Sequence, residues 1–318
     1  TRPVAVSNAT IGILAALKAL DLPQGSTVIV PSWTFAATIQ ALALAGLKWH
    51  YADVDKDSWN LDPKCAENLL ELGKNGNVNY SAIMVVDCFG VTNGKTKLIS
   101  LRDKYGVKLI CDAAESFGND PHCNPFGEYD ATIYSFHATK QVPAGEGGLV
   151  VFAEKTHEDA CRQYIDFGFD ENRSATIIGL NGKMSEINAC LALASLRNLP
   201  KNTKRRNEIM GIYERMKGMD GKKLQEGRWN NLQLLAVKCD SSEERAKFEY
   251  FLNERGIQTK RYFYPACHNQ PALKSLVDYN LRVTEELEKT VLCLPFYESL
   301  TKKEIMYIAK TVWEFSNQ

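Results

Sequence analysis

The chain has 318 residues, 45% of them hydrophobic, with 38 basic against 38 acidic side chains and a formal net charge of +0. That is enough chain for one large domain and a smaller one. The balanced charge, without a block of one sign, argues against nucleic acid or an anionic membrane as partner, and no apolar run is long enough to span a bilayer. The nine cysteines (Cys65, Cys88, Cys111, Cys123, Cys161, Cys190, Cys239, Cys267 and Cys293) are scattered and form no C-x-x-C pair. They speak against a zinc site or a disulfide framework, and for a reducing, cytoplasmic setting.

Ile11–Leu20 has helical spacing, and Ser26–Pro31 (S-T-V-I-V-P) reads as a buried strand. Ala82–Asp87 is a second strand, followed by a turn at Phe89-Gly90; Leu98–Tyr105 reads as a helix. Val107–Asp112, Ala131–Ser135 and Gly148–Phe152 are three further strands. Continuous β-rich runs separated by helices predict an α/β fold with a mostly parallel sheet covered on both faces, and polar functional groups at strand C-termini. Met184–Leu196 is amphipathic and continues, after an interruption at Pro200, into a charged helix over Lys201–Met216. The domain boundary is placed there, giving a large domain over 1–200 and a smaller α+β domain over 201–318. The latter holds a strand at Asn231–Val237, a helix at Ser242–Arg255 stopped by Gly256, and a final helix at Thr301–Phe315.

Three segments carry chemistry. Asp112 ends a strand and is followed by two alanines; it reads either as a carboxylate facing the crevice of an α/β sheet or as a helix N-cap. Ser135-Phe136-His137-Ala138-Thr139-Lys140 puts a lysine five residues beyond a strand-end hydroxyl, before the glycine-rich Gly145–Gly148. A partly desolvated amine there can form a Schiff base, whereas a loop lysine ordinarily faces solvent. Ser7–Gly12 introduces a helix with small and hydroxyl residues, either an anion site or an ordinary cap. Their order narrows the choice: a phosphate-type helix start, an aromatic after a strand (Pro31–Phe35), a strand-end Asp, then Ser, then Lys. Pyridoxal phosphate asks for this set: N–H groups and hydroxyls for the phosphate, an aromatic face for the ring, a carboxylate for the pyridine nitrogen and a lysine for the aldehyde.

These residues resemble the DegT/DnrJ/StrS sugar aminotransferases, within fold type I of pyridoxal-phosphate enzymes. The resemblance is carried by S-N-A-T, V-P-S-W-T-F-A-A-T, D-A-A-E-S-F-G, S-F-H-A-T-K, E-G-G, G-L-N-G-K-M-S-E-I-N-A, G-I-Q-T-K-R-Y-F-Y-P-A-C-H and L-C-L-P-F-Y, in family order along essentially the whole chain. It implies that Lys140 carries the cofactor as a Schiff base and moves the proton, and that Asp112 pairs with the pyridine nitrogen. Phe35 would stack on the ring; Ala9, Thr10 and Ser135 would bind phosphate; Glu115 would stand near the 3-hydroxyl. Asn181, and Lys183 where Arg is common, would reach the phosphate of a neighbouring subunit in a homodimer with shared active sites. His137, His268 and Arg261 are candidates for the substrate. His50, His122, His157, Trp33 and Trp59 read as surface or packing residues.

The S-F-H-A-T-K and E-G-G segments look most like members that aminate C4 of a nucleotide-linked, here dTDP-linked, 4-keto-6-deoxyhexose in deoxyamino-sugar and O-antigen or other glycan biosynthesis. Glutamate would be the donor and pyridoxamine phosphate the intermediate form of the cofactor. Family members usually carry more residues before S-N-A-T, so a preceding segment is expected. The alternatives are a cyclitol or C3 keto-sugar aminotransferase of the same family and a non-catalytic cofactor-binding regulator. Lys140 speaks against the dehydratase relatives, which have His there, and a nucleotide-dependent dehydrogenase would need the missing G-x-G-x-x-G.

Overall fold

The apolar runs of the first half become the strands of one sheet. The computed structural model describes residues 3–76, 78–92, 94–119, 128–215, 223–227, 231–275 and 280–317; His122, Cys123 and the expected helix end at Met216 lie outside the described residues. In chain order the first elements are β1 (Val4–Val6), α1 (Ala9–Ala19), β2 (Thr27–Pro31), α2 (Ala36–Ala45), β3 (Lys48–Ala52), α3 (Pro63–Asn75), β4 (Tyr80–Val86), α4 (Lys95–Tyr105), β5 (Lys108–Asp112), β6 (Ala131–Ser135) and β7 (Gly148–Phe152). The strands align as β1-β7-β6-β5-β4-β2-β3, with β7 antiparallel to both its neighbours and every other pairing parallel.

Successive side chains of a strand point to opposite faces, and here both faces are covered. Val28 and Val30, Met84 and Ile110 join residues of α1 and α2, with Cys161 and Ile165 of α5 (Lys155–Ile165), in one apolar cluster. The alternate residues Ile29, Ile83, Val85, Leu109 and Cys111 pack with Ala66 and Leu70 of α3 and Leu98 and Leu101 of α4. The mostly parallel sheet with helices on both faces is therefore present as expected.

The second half runs through α6 (Glu186–Arg215), β8 (Lys223–Leu224), β9 (Leu235–Lys238), α7 (Ser242–Asn253), α8 (Arg282–Thr290), β10 (Val291–Leu294) and α9 (Lys302–Ser316). The last three strands form an antiparallel sheet, β10-β9-β8. A separate core gathers Ile209, Met210 and Tyr213 of α6 with Val237, Phe248, Leu252, Leu292, Ile305 and Val312.

Two expectations change. Pro200 does not interrupt the helix: α6 runs through it. A proline removes one backbone bond, and the helix is anchored on both sides of it, by Leu196 and Leu199 against one cluster and Ile209 and Met210 in another. The strand expected from Asn231 begins only at Leu235. Asn231 N–H donates to Asn119 Oδ1 (2.9 Å) and Gln233 N–H to the Phe89 carbonyl (2.9 Å), so this backbone straps the second half to the first instead of entering a ladder. The final helix opens with a capping box between Thr301 and Glu304.

Candidate active site

The register of the sheet assembles the site. Val6 of β1 pairs with Gly148 at the start of β7, and Gly148 pairs with Ser135 at the end of β6. Asp112, the last residue of β5, lies beside Val86, the last of β4. All parallel strands thus end at one edge, where open α/β sheets bind ligands. A cavity of about 460 Å³ opens there, within the usual range for small-molecule sites. It is lined by Ala9, Thr10, Phe35, Asp112, Glu115, Ser135, His137 and Lys140, so eight of the residues singled out in the sequence meet in one place.

At one wall is the N-terminus of α1. Asn8 caps the helix through its side chain, which accepts from Ile11 N–H at 2.9 Å, and Gly12 N–H bonds to the Asn8 carbonyl. The N–H groups of Ala9 and Thr10 precede these, and first-turn N–H groups have no partner within a helix. Ala9 has no positive φ, so it holds the helical turn without glycine. The close approach is left to Gly148: a Cβ there would come within 2.9 Å of the Tyr134 carbonyl and 3.0 Å of Ala9 N.

Asp112 is buried at 5% exposure. Its Oδ2 accepts from Thr38 Oγ1 (2.8 Å) and its Oδ1 from Ala114 N–H (3.2 Å). Since Thr38 spends its proton on Asp112, Thr34 Oγ1, 2.8 Å away, donates to Thr38. Burial pushes the Asp112 carboxyl up to about 6; these bonds and the ammonium of Lys140 pull the other way without cancelling it. Lys140 Nζ donates to Glu115 Oε1 at 2.9 Å, while Glu115 Oε2 accepts from Phe89 N–H at 2.8 Å. The loop bearing Lys140 is itself fixed: Ala138 N–H bonds to the Gly145 carbonyl, Phe136 N–H to that of Gly147, and the Gln233 side chain to that of Thr139. His137, with its Nδ1 3.0 Å from Thr139 Oγ1, sits at the exposed rim.

Four of the singled-out residues are elsewhere. Asn181 and Lys183 lie on an exposed segment outside the cavity lining, where Lys183 pairs with Asp166. The Arg261 guanidinium is turned onto Glu249, and the His268 ring is bonded to Ser32 Oγ at 2.7 Å. In their stead the cavity receives Lys260, Tyr262 and Phe263 from the second half, and Thr34, Asp87 and Asn8 from the first. In an extended segment neighbouring side chains face opposite ways; the sequence shows that Lys260 or Arg261 can face the site, but carries no signal for which.

The donor set fits pyridoxal phosphate. A helix N-terminus with flanking hydroxyls suits a phosphate, and a buried carboxylate bonded only to neutral groups suits a protonated ring nitrogen. A lysine at the far wall suits an aldehyde. Among the described residues no group of three or more His, Cys, Asp or Glu side chains is arranged to hold a metal ion.

Likeness to known proteins runs along the whole chain. Residues 2–313 match the DegT/DnrJ/EryC1/StrS aminotransferase family. The chain is 29% identical over 316 residues to a dTDP-4-amino-4,6-dideoxy-D-glucose transaminase of Shigella dysenteriae, covering 97% of this chain and 84% of that one. It is 27% identical over 315 residues to a GDP-perosamine synthase of Escherichia coli O157:H7, covering 98% and 84%. Among solved structures, DesI with its TDP-sugar product superposes with a TM-score of 0.88 at 30% identity, covering 100% of this chain and 81% of that one. NtdA of Bacillus subtilis with bound cofactor PMP gives 0.90 at 25% identity, covering 100% and 74%. The cavity and the likeness along the whole chain lead to one conclusion: this chain belongs to the DegT/DnrJ/EryC1/StrS aminotransferase family.

Proposed function

We propose that this aminotransferase, with pyridoxal phosphate as cofactor, moves an amino group from glutamate to the C4 keto carbon of a dTDP-linked 4-keto-6-deoxyhexose. The observation that carries the reading is the convergence of Lys140, Asp112 and the α1 N-terminus on one cavity at the C-terminal edge of the sheet. The substrate class is supported by the names of the Shigella transaminase and of DesI with its TDP-sugar product.

Bound pyridoxal phosphate supplies an electron sink and carries the amino group from one substrate to the next. The protein's own part follows from its groups. Lys140 Nζ would hold and move the proton between the donor's Cα and the cofactor in one half-reaction, and between the cofactor and the sugar C4 in the other. Glu115 holds that nitrogen in reach. Asp112, fixed by Thr38 and Ala114, sets a negative charge where the ring nitrogen must stay protonated. Ala9, Thr10 and Ser135 hold the phosphate. Phe35 is 62% exposed, an aromatic face that a flat ring would cover.

Asn181 and Lys183 are assigned to the phosphate of a neighbouring subunit in a homodimer. The support is the run of exposed apolar side chains around them, among them Phe167, Ile177, Ile178 at 93% exposure, Ile187 at 76%, Leu191 and Leu193. The division into 1–200 and 201–318 is kept, with the separate core of the second part as its support. A cytoplasmic location fits the nucleotide-sugar substrate; among the described residues no helix is long and apolar enough to cross a membrane.

The test is spectroscopic. Wild-type protein mixed with pyridoxal phosphate develops a visible band that borohydride removes, and Lys140→Ala does not. Glutamate bleaches that band, and a keto sugar restores it; dTDP- and GDP-linked 4-keto-6-deoxyhexoses are compared, with NMR of the product to locate the new amine. Restoration by neither sugar, with bleaching intact, would refute the substrate assignment.

A further inference from the structure

The lysines lining the cavity among the described residues, Lys140 and Lys260, are held differently. Lys140 is paired with Glu115. Lys260 makes no ion pair among the described residues; its Nζ lies 5.0 Å from the centre of the Tyr262 ring, and its side chain is exposed. Its backbone is nevertheless fixed. Lys260 N–H donates to the Cys293 carbonyl (3.1 Å), and the Lys260 carbonyl accepts from Cys293 N–H (2.8 Å). Three residues on, the Phe263 ring is stacked on Phe89 at 5.3 Å and set edge-on to Trp33 at 5.4 Å. A mobile four-carbon arm therefore projects from an anchored base. The same residue borders an adjoining cavity of about 720 Å³ that extends to Arg206, Gln258 and Tyr297.

The lining also carries four carboxyl groups, Asp87, Asp112, Glu115 and Glu146. An anionic substrate entering such a cavity needs a cation that is not already engaged. Glutamate brings a second carboxylate, remote from the reacting carbon, which plays no part in the chemistry and which alanine lacks. The hexose that follows it is neutral at the sugar ring. The cation must then pair with one substrate and withdraw from the next. A point charge on a flexible stem with an open space beside it can do so, where the planar fork of an arginine suits a permanent partner.

We infer that Lys260 selects a dicarboxylate amino donor by pairing with its distal carboxylate. The inference rests on the aminotransferase reading above, with glutamate as donor. It is tested on the holoenzyme by following the bleaching of the cofactor band with glutamate and with alanine. In wild type, glutarate competes with the donor more strongly than butyrate does; equal inhibition by the two acids would overturn the assignment without any variant. Lys260→Gln lowers the glutamate-over-alanine ratio of kcat/KM by about 10- to 100-fold, the range for one charge-assisted hydrogen bond, and weakens glutarate binding, read by calorimetry, in proportion. Lys260→Arg restores most of both. An unchanged ratio in Lys260→Gln overturns the inference, as does a rise confined to the KM of the nucleotide sugar, which would give Lys260 to the diphosphate. Absence of a cofactor band, or of bleaching by any amino acid, is the separate failure of the underlying reading.

Discussion

Asp112→Asn separates the stability of this site from its chemistry. In the cofactor-free protein the Asp112 carboxyl is raised from an ordinary 3.8 to about 6 because it is buried. The folded state therefore holds a proton that the unfolded state releases between about pH 4 and pH 6, and stability falls as pH rises through that window. Below about pH 4 both states are protonated and the cost is absent; above about pH 6 it is complete. A shift of that size corresponds to about 3 kcal/mol. Asparagine removes the charge and keeps the shape. Its oxygen can accept from Ala114 N–H, and its amide can donate to Thr38 Oγ1, which then turns its own proton to Thr34, 2.8 Å away. The stripped Asp112→Asn protein should thus be more stable than stripped wild type at pH 8, by up to about 3 kcal/mol, and about equal to it at pH 4.

The assay is urea unfolding of both stripped proteins from pH 4 to pH 8, with the midpoint compared at constant slope. Pyridoxal phosphate should reverse the order at pH 8, because a protonated ring nitrogen gives the buried carboxylate its counter-charge and gives the amide none. Turnover of the variant should fall at least 100-fold, the counterpart of about 3 kcal/mol in the barrier. Parallel pH profiles for the two stripped proteins, or a stripped variant less stable than wild type at pH 8, would refute the account of Asp112 as an uncompensated buried charge.

Gly148→Ala should cost about 1–3 kcal/mol, the usual range for overpacking, and should weaken cofactor affinity, since the new Cβ meets Ala9 N at 3.0 Å and displaces the start of α1; thermal unfolding and a cofactor titration check it. Asn8→Ala removes the α1 cap and should cost about 1 kcal/mol, read from the urea midpoint, while Ala9 and Thr10 keep their N–H groups. Ile187→Asp places a charge at an exposed position, so monomer stability should stay within about 0.5 kcal/mol, yet sedimentation should show a dimer weakened by about 10-fold or more. An unchanged dimer would remove this face of α6 from the interface.

What was legible in the sequence is what local physics writes there. Buried parallel strands are continuous apolar runs, so V-K-L-I-C-D and A-T-I-Y-S marked β5 and β6, and with them Asp112 and Ser135 at the edge where ligands bind. The start of α1 is legible as a cap or an anion site, but the cap expected from Ser or Thr is supplied by Asn8. Less was legible where a role depends on a distant partner. Thr38 stands in a plain helical stretch, and nothing near it in sequence says that its hydroxyl meets a carboxylate 74 residues away. β1 is only three residues long and exists because β7 offers an edge for it to pair with. Pro200 looked like a break because the proline rule is local, whereas the helix through it is held from both sides by two cores.

The same distinction sorts the site by what each part must do. On the proposed reading, the groups assigned to the cofactor come from the large sheet and its first helix: Asp112 and Ser135 from strand ends, fixed by backbone register, and Ala9 and Thr10 from a capped turn. On the same reading, the groups assigned to the substrate space come from the second half, on a segment tied to the first by the Phe263 ring against Trp33 and Phe89. From that anchored segment the side chains of Lys260 and Tyr262 line the cavity. In the proposed ping-pong transfer, two successive substrates of different charge must use one cavity. A rigid cofactor wall opposed by an anchored but adjustable substrate wall meets that requirement, whereas rigidity on both sides would favour one substrate at the other's expense.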